Sequence, residues 1–365
     1  MTKLSILADE NIPGLEPACA DWGNIITMSG RDIKASDLVG IDLLFVRSVT
    51  QVNAELLSNT DLKFVGSATI GVDHIDLDYL ASRGIGFAHA PGSNANGVVD
   101  YVMSVILDHY DNARIEQLTV AIVGYGNVGS RLARCLRHFS IAHVIYDPLF
   151  TPSSANKKLI DALPNDFVES IDDLLNCDIT SVHVPLTTEG DCPTYHLFDA
   201  IRLSQLSQNA LFINSSRGPV VNNAALKALL MQRSDLTVAL DVWEGEPNID
   251  LELYPLCDTA TPHIAGYSLD GKLRGTSAIV SAAMVFFNLT ATESPEDKEL
   301  VALNDLKTLA DYRDALSIVY SAKKESVLFE QAITKKTITN TNNIAQIFDA
   351  YRKSYPARRE INYDG

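Results

Sequence analysis

The chain has 365 residues, 46% of them apolar and 21% charged, and a formal net charge of −17. That length predicts two or three domains, and the composition is that of a folded globular protein. The acidic balance argues against nucleic acid and anionic membranes as partners, because both recruit basic patches; a local positive pocket for a small anion remains compatible with it.

From the N-terminus, MTKLSILADEN turns acidic before a signal-peptide apolar core can form. The β-branched runs LSILAD, DLLFVRS, LKFVGSA and GIGFAHAPG then recur, each followed by turn residues. Between them DHIDLDYLASRG has helical spacing and a terminal glycine stop. Strand–helix alternation predicts a parallel sheet covered by helices, here a first domain ending near Gly97. NGVVDYVMSVILDHYDNA reads as one long apolar helix between domains. The alternation restarts with TVAIVGYG, AHVIYDP, DITSVHVPL, ALFINSSRG, LTVALDV and DTATPHIAG, a second open sheet. AIVSAAMVFFNLTA falls short of the roughly 20 apolar residues of a membrane span and predicts a buried helix. ATESPEDKE reads as a polar linker, and LNDLKTLADYRDALSIVYSAKK as an amphipathic helix in a third unit too small for a large core of its own. Packing against a second subunit would complete it. Five scattered cysteines without a C-x-x-C pair predict neither disulfides nor zinc, which fits a reducing cytoplasm.

The strongest motif is GYGNVG, which follows an apolar strand and opens a helix. Gly124 permits the tight turn, Gly126 lets backbone approach a pyrophosphate, and Gly129 lets helix and strand pack closely. Asn127 and Val128 lie at the helix N-terminus, whose free N–H groups and dipole attract phosphate. The next strand ends in Asp147, an acid suited to accept ribose hydroxyls and repel a 2′-phosphate; NAD is therefore expected over NADP.

Three later strand ends carry further candidates: Arg217 in NSSRG, Asp241, Glu244 and Glu246 in DVWEGEP, and His263 in TPHIAG. In doubly wound sheets ligands bind beyond the carboxyl ends of strands, where these side chains can converge. Oxidising a secondary alcohol needs a base for its proton while hydride leaves. His263 suits that role, with an unperturbed imidazole near pH 6.5. Glu246 would fix its tautomer, and Arg217 would grip a carboxylate. Of the other histidines, His74 and His89 read as local packing contacts. His183 and His196 are too isolated to suggest a metal.

The order GYGNVG, NSSRGPVV, DVWEGEP, TPHIAG resembles the D-isomer-specific 2-hydroxyacid dehydrogenases over roughly residues 1–290. The resemblance implies a flavodoxin-like substrate-binding (lid) domain over 1–97 and 267–290, and a Rossmann NAD-binding domain over 98–266. It makes Arg217, Glu246 and His263 the catalytic trio and sets Asp241 against the nicotinamide amide. A substrate cleft between the two sheets is expected. ADEN, FVRSVTQVN, KFVGSATIGVDHID, APGSNANGVVDYV and TPHIAGYSLDGKLRGT are similar to a narrower branch that oxidises a phosphorylated four-carbon 2-hydroxy acid in vitamin B6 synthesis. In that branch Ser48, Thr69 and Tyr267 match substrate contacts, Gly266 matches a cofactor contact, and residues 291–365 match a small α+β dimerisation domain, making the expected assembly a homodimer. A phosphorylated substrate needs donors at both ends, and Arg47 with Ser48 is expected to meet the phosphate. The alternatives are another D-2-hydroxyacid dehydrogenase, of phosphoglycerate or glycerate type, or a non-catalytic NAD(H)-sensing scaffold.

Overall fold

The computed structural model describes residues 3–150, 166–289, 300–338 and 343–364. The polar stretch ATESPEDKE lies outside the described residues. The chain forms two compact units, the first from Met1–Asn94 and Ser268–Glu299, the second from Ala95–Tyr267 and Leu300–Gly365.

In the first unit β1 (Leu4–Asp9), β2 (Gly23–Met28), β3 (Leu43–Val46), β4 (Phe64–Ser67) and β5 (Gly86–His89) form a parallel sheet in the order β2-β1-β3-β4-β5. This is the flavodoxin-like order, in which the chain reverses direction across the sheet beside β1. β3 and β4 are buried along their whole length, as strands covered on both faces must be. One face packs Leu7, Val46, Val65 and Leu80; the other packs Ile6, Phe45 and Phe64 against Ile279 and Ala283.

Those last two belong to the Leu269–Phe287 helix, which brings the chain back into the first unit. Ser268 caps it by accepting the Gly271 N–H at 2.9 Å, Arg274 donates to the Ser93 carbonyl at 2.7 Å, and Thr276 donates to the Pro13 carbonyl at 2.8 Å. The helix is buried on one side only. Val285 is 85% exposed, so the apolar run that suggested a wholly buried helix overstates its burial. No described helix is long and apolar enough to cross a membrane.

The second unit starts with the Ala95–His109 helix, buried nearly all round from Ala95 to Leu107. The long helix expected over 96–113 stops here. Asp111 accepts the Arg114 N–H at 2.8 Å and starts a separate short turn, Asn112–Ile115. β6 (Thr119–Val123), β7 (Ala142–Tyr146), β8 (Ile179–Val182), β9 (Leu211–Asn214), β10 (Thr237–Leu240) and β11 (Thr259–Ala260) then build a parallel sheet in the order β11-β10-β9-β8-β6-β7. A parallel bridge from Ile145 to Phe167 extends it beyond β7, which gives Rossmann order, with the reversal between β6 and β8.

Residues after Leu300 add to both faces of this second sheet. Leu303, Tyr312, Leu316 and Tyr363 join the core with Val102 and Leu132, while Phe329, Ile347 and Phe348 join Phe212 and Trp243. The amphipathic stretch read as one helix over 303–324 is two. Leu309–Val319 has a Thr308–Asp311 capping box and ends where Tyr320 turns extended; Ala322–Ile338 follows. Ser104 accepts the Ala322 N–H at 2.9 Å, fixing the start of the second helix. All five cysteines carry free thiols.

Candidate functional site

The glycine turn sits at the sheet's reversal point. Gly124 has φ +98°, a backbone conformation that side chains resist, and a Cβ there would stand 2.9 Å from the His183 carbonyl oxygen. At Gly126 a Cβ would meet nothing within 4 Å, so this backbone faces open space; at Gly129 it would stand 1.9 Å from the Gly124 carbonyl oxygen. Helix Asn127–His138 therefore packs against the turn as closely as backbone permits, with Asn127 exposed and Val128 half-buried at its first turn. Asp147, just past β7, accepts the Tyr125 N–H at 2.8 Å and the Leu149 N–H at 3.0 Å. It thus ties the glycine turn to the neighbouring strand end. Beneath the turn His183 lies 2.9 Å from Ser181 Oγ through Nε2, and burial pushes its imidazole down to about 3.

One buried tryptophan organises the rest. A Cβ at Gly218 would stand 2.0 Å from the Trp243 carbonyl, so the loop carrying Arg217 lies directly on the Trp243 backbone. The Trp243 backbone N–H donates to Glu246 Oε1 at 2.7 Å, and its indole N–H donates to the Thr261 carbonyl at 2.9 Å. The loops of Arg217, Glu246 and His263 are thereby joined through a single residue. Asn214 shapes the first loop, accepting the Ser216 N–H at 3.1 Å and donating to the Arg217 carbonyl at 3.1 Å. Arg217 is half-buried and donates to the Ser216 carbonyl at 2.8 Å.

His263 Nδ1 stands 2.8 Å from Glu246 Oε2, their side chains 34% and 20% exposed. A carboxylate only accepts, so Nδ1 carries a proton, and in the neutral ring Nε2 is left with its lone pair. Burial pushes the Glu246 carboxyl up, but the His263 charge and hydrogen bond, the Trp243 N–H and the Arg352 charge together hold it below its ordinary value. His263 itself has φ +57°, a costly conformation for a residue with a Cβ. Its N–H donates to the Asp241 carbonyl at 2.7 Å. The Asp241 carboxylate accepts from Thr261 Oγ1 at 2.7 Å, the Ile264 N–H at 2.8 Å and the Ala265 N–H at 3.0 Å. Asp241 is thus buried within the His263 loop, and burial raises its carboxyl despite the His263 charge and these bonds. Half-buried Gly266 follows, then Tyr267, whose ring meets Tyr355 edge-on at 6.0 Å.

The first unit carries the remaining sequence candidates, Arg47 and Ser48 just past β3 at its own reversal point and Thr69 past the neighbouring β4. Arg47 donates through Nε and Nη2 to both oxygens of buried Asp9, at 3.0 and 3.1 Å. The guanidinium read from sequence as a phosphate contact is therefore already neutralised along one edge by a carboxylate. Ser48 beside it is exposed. Thr69 Oγ1 lies 2.7 Å from Ser67 Oγ and donates to the Gly71 carbonyl at 3.1 Å, while His74 Nε2 meets Ser67 Oγ at 2.9 Å. His89 Nδ1 lies 2.9 Å from the Ile70 carbonyl. Both histidines hold the 67–71 loop.

Sequence reasoning missed three features. Trp243 gave no signal beyond its apolar type. His196, isolated in the sequence, lies 2.7 Å from Glu244 Oε1, which separates Glu244 from the Glu246–His263 pair. Lys272 was also unflagged; burial and then the Arg47 charge lower its ammonium.

Residues 103–265 match the family model described as D-isomer specific 2-hydroxyacid dehydrogenase, NAD binding domain. Over 368 residues the chain is 44% identical to the erythronate-4-phosphate dehydrogenase of Stutzerimonas stutzeri (strain A1501), covering 98% of this chain and 93% of that one. It is 41% identical over 377 residues to that of Shewanella baltica (strain OS195), covering 99% and 96%. Among solved structures, D-lactate dehydrogenase from Aquifex aeolicus, complexed with NAD and lactic acid, is 25% identical with a TM-score of 0.61, covering 78% of this chain and 96% of that one. NAD-bound 3-phosphoglycerate dehydrogenase from Entamoeba histolytica is 20% identical with a TM-score of 0.65, covering 82% and 100%, and shares the fold. The two parallel sheets, the glycine turn and near-full-length identity above 40% lead to one conclusion: the chain belongs to the erythronate-4-phosphate dehydrogenase family of D-isomer-specific 2-hydroxyacid dehydrogenases.

Proposed function

We propose that this protein oxidises 4-phospho-D-erythronate at C2 with NAD, giving (R)-3-hydroxy-2-oxo-4-phosphooxybutanoate in pyridoxal 5′-phosphate (vitamin B6) biosynthesis. The observation that carries the reading is the 2.8 Å pair of His263, on the loop after β11, with Glu246, on the loop after β10, joined through Trp243 to the Arg217 loop.

The glycine turn fits a dinucleotide. Open space at Gly126 and the exposed first turn of its helix suit a pyrophosphate. Gly124, Gly126, Asn127, Val128 and Gly129 would hold it, Asp147 the ribose, and Asp241 and Gly266 the nicotinamide end. When bound, NAD accepts the hydride from C2. His263 Nε2 takes the hydroxyl proton, and Glu246 holds Nδ1 as the donor and favours the imidazolium that results. Arg217 grips the substrate carboxylate with its planar fork, and Tyr267 lines the same site.

The protein acts as a homodimer. The supporting observation is apolar surface on the segment after Leu300, with Ile318 84% exposed and Val327 and Leu328 also exposed. Free thiols at all five cysteines favour a cytoplasmic setting.

The test is a single-turnover assay with 4-phospho-D-erythronate, NAD and a panel of 2-oxoacid acceptors, reading NADH absorbance and substrate loss together. D-3-phosphoglycerate runs in parallel. Consumption of phosphoerythronate alone supports the reading. Consumption of phosphoglycerate alone moves the substrate, and silence on both with NAD bound favours a sensing scaffold.

A further inference from the structure

Some half-buried arginines in this protein pair with a carboxylate, Arg47 with Asp9, Arg137 with Asp166, Arg233 with Asp235 and Arg358 with Asp100, and others donate to backbone carbonyls, Arg134 to Tyr363, Arg274 to Ser93 and Arg313 to Tyr110. Arg352, in the last turn of the Ile344–Lys353 helix, differs. It is half-buried, its Nε is buried without a hydrogen-bond partner, and its described contacts are two aromatic faces. The guanidinium carbon lies 5.6 Å from the Tyr267 ring centroid and 5.8 Å from that of Phe348. Ring faces attract a cation, but a buried Nε–H without an acceptor is costly until an anion completes it.

Its position says which anion. Tyr267 directly follows the His263 loop, and the Arg352 charge is felt at Glu246. The group that completes Arg352 is therefore part of whatever occupies the His263–Glu246 site. A substrate with a carboxylate at one end and a phosphate at the other needs two cations, and Arg217 suits the carboxylate. Arg217, Glu246 and His263 all fall within residues 103–265, the span matched across 2-hydroxyacid dehydrogenases, whereas Arg352 lies outside it. A residue outside the shared chemical core is suited to choosing the substrate.

We propose that Arg352 binds the phosphate end of the substrate, with Tyr267 as the platform that orients its guanidinium, and so selects a phosphorylated acid. This rests on the phosphoerythronate reading above. The experiment compares full-length wild type with Arg352→Met and Arg352→Lys. It measures kcat and KM on 4-phospho-D-erythronate and D-erythronate, and the rise in Tm given by inorganic phosphate.

In Arg352→Met the KM for phosphoerythronate should rise about 10- to 100-fold, the range for loss of a charge-assisted bond, with kcat within about threefold. The preference for the phosphorylated substrate should collapse, and phosphate should no longer raise Tm. Arg352→Lys keeps the charge without the flat fork and should fall between, which preserves the test if the methionine variant does not fold. Equal losses on both substrates would mark a merely structural residue and overturn the proposal. So would phosphate stabilisation that survives in Arg352→Met. If wild type is silent on phosphoerythronate yet phosphate stabilisation disappears in the variant, the anion site stands and the substrate reading fails.

Discussion

Arg358 is the residue whose removal tests the architecture most severely. Its side chain is 8% exposed, and it donates to Asp100, itself 0% exposed, at 3.2 Å. It also donates to the Gly97 carbonyl at 3.0 Å and the Ala265 carbonyl at 2.7 Å, and its guanidinium lies 4.1 Å over the Tyr320 ring. Arg358→Met retains a flexible apolar stem but leaves Asp100 buried and both carbonyls without this donor. Breaking one side of a buried ion pair costs about 3–5 kcal/mol.

The protonation of Asp100 decides where in that range the cost falls. Burial pushes its carboxyl up to about 7 even with Arg358 beside it. The unfolded value is near 3.9, so between about pH 4 and 7 the folded state holds a proton that the unfolded chain releases. Stability from this group is therefore complete below about pH 4, declines as pH rises, and levels off above about 7, once Asp100 ionises against its arginine. In Arg358→Met nothing compensates the ionised form, so the decline continues. The gap should be about 3 kcal/mol at pH 6 and widen by up to ~1.4 kcal/mol per pH unit above 7. Urea unfolding followed by circular dichroism at pH 6, 7 and 8 measures it, with Asp100→Asn/Arg358→Met expected to show a gap independent of pH. A gap below 1 kcal/mol, or one equal at pH 6 and 8 in the single variant, would refute the reasoning. Because Ala265 lies two residues past His263, kcat should also fall at temperatures well below unfolding.

Other consequences can be checked separately. His263→Gln should lower kcat by about 10²–10⁴ with little change in substrate KM; near-normal turnover would remove the imidazole from the chemistry. Asp147→Asn should shift the NAD/NADP ratio of kcat/KM toward NADP by about tenfold, equivalent to 1.4 kcal/mol, and an unchanged ratio would show that its charge does not select the cofactor. Gly129→Ala puts a methyl into the Gly124 carbonyl, so a loss of about 1–3 kcal/mol in stability and weaker NAD binding by calorimetry are expected; wild-type values for both would contradict the packing. The His183 imidazole, held down to about 3, favours the neutral ring. Its stabilisation is present above about pH 6.5 and lost as pH falls toward 3, at ~1.4 kcal/mol per unit. The acid side of the Tm–pH curve should flatten in His183→Gln, and parallel curves would count against this.

Much of the site was legible because its chemistry sits at strand ends, where sequence rhythm changes abruptly. TVAIVGYG ends an apolar run on glycines whose spacing has few other uses, and Asp147 closes the next strand. What stayed hidden depends on contacts distant in sequence. GNIITM was not read as a strand because β2 is a partly exposed edge with no strong apolar signal. ADEN was visible as a motif, but nothing local shows that Asp9 takes both edge donors of Arg47. DVWEGEP offers two glutamates, and only the fold separates Glu246, which faces His263, from Glu244, which faces His196. Trp243 joins three loops through its backbone and ring N–H groups, a task that residue type does not announce.

The chain passes from the first unit to the second, back along Leu269–Phe287, and then into the second again. Tyr363 donates to Asp100 at 2.8 Å across 263 positions, and Thr276 reaches Pro13 across another 263. Neither unit can close from consecutive residues alone, and contacts of such separation bear the loop-closure entropy before they return any energy. Folding should be slow, with residues 300–338 and 343–364 and the His263 loop gaining amide-exchange protection together and late. In the native state these segments should open as one cooperative unit, so transient release of the Arg358 anchor is also transient loss of the His263 geometry.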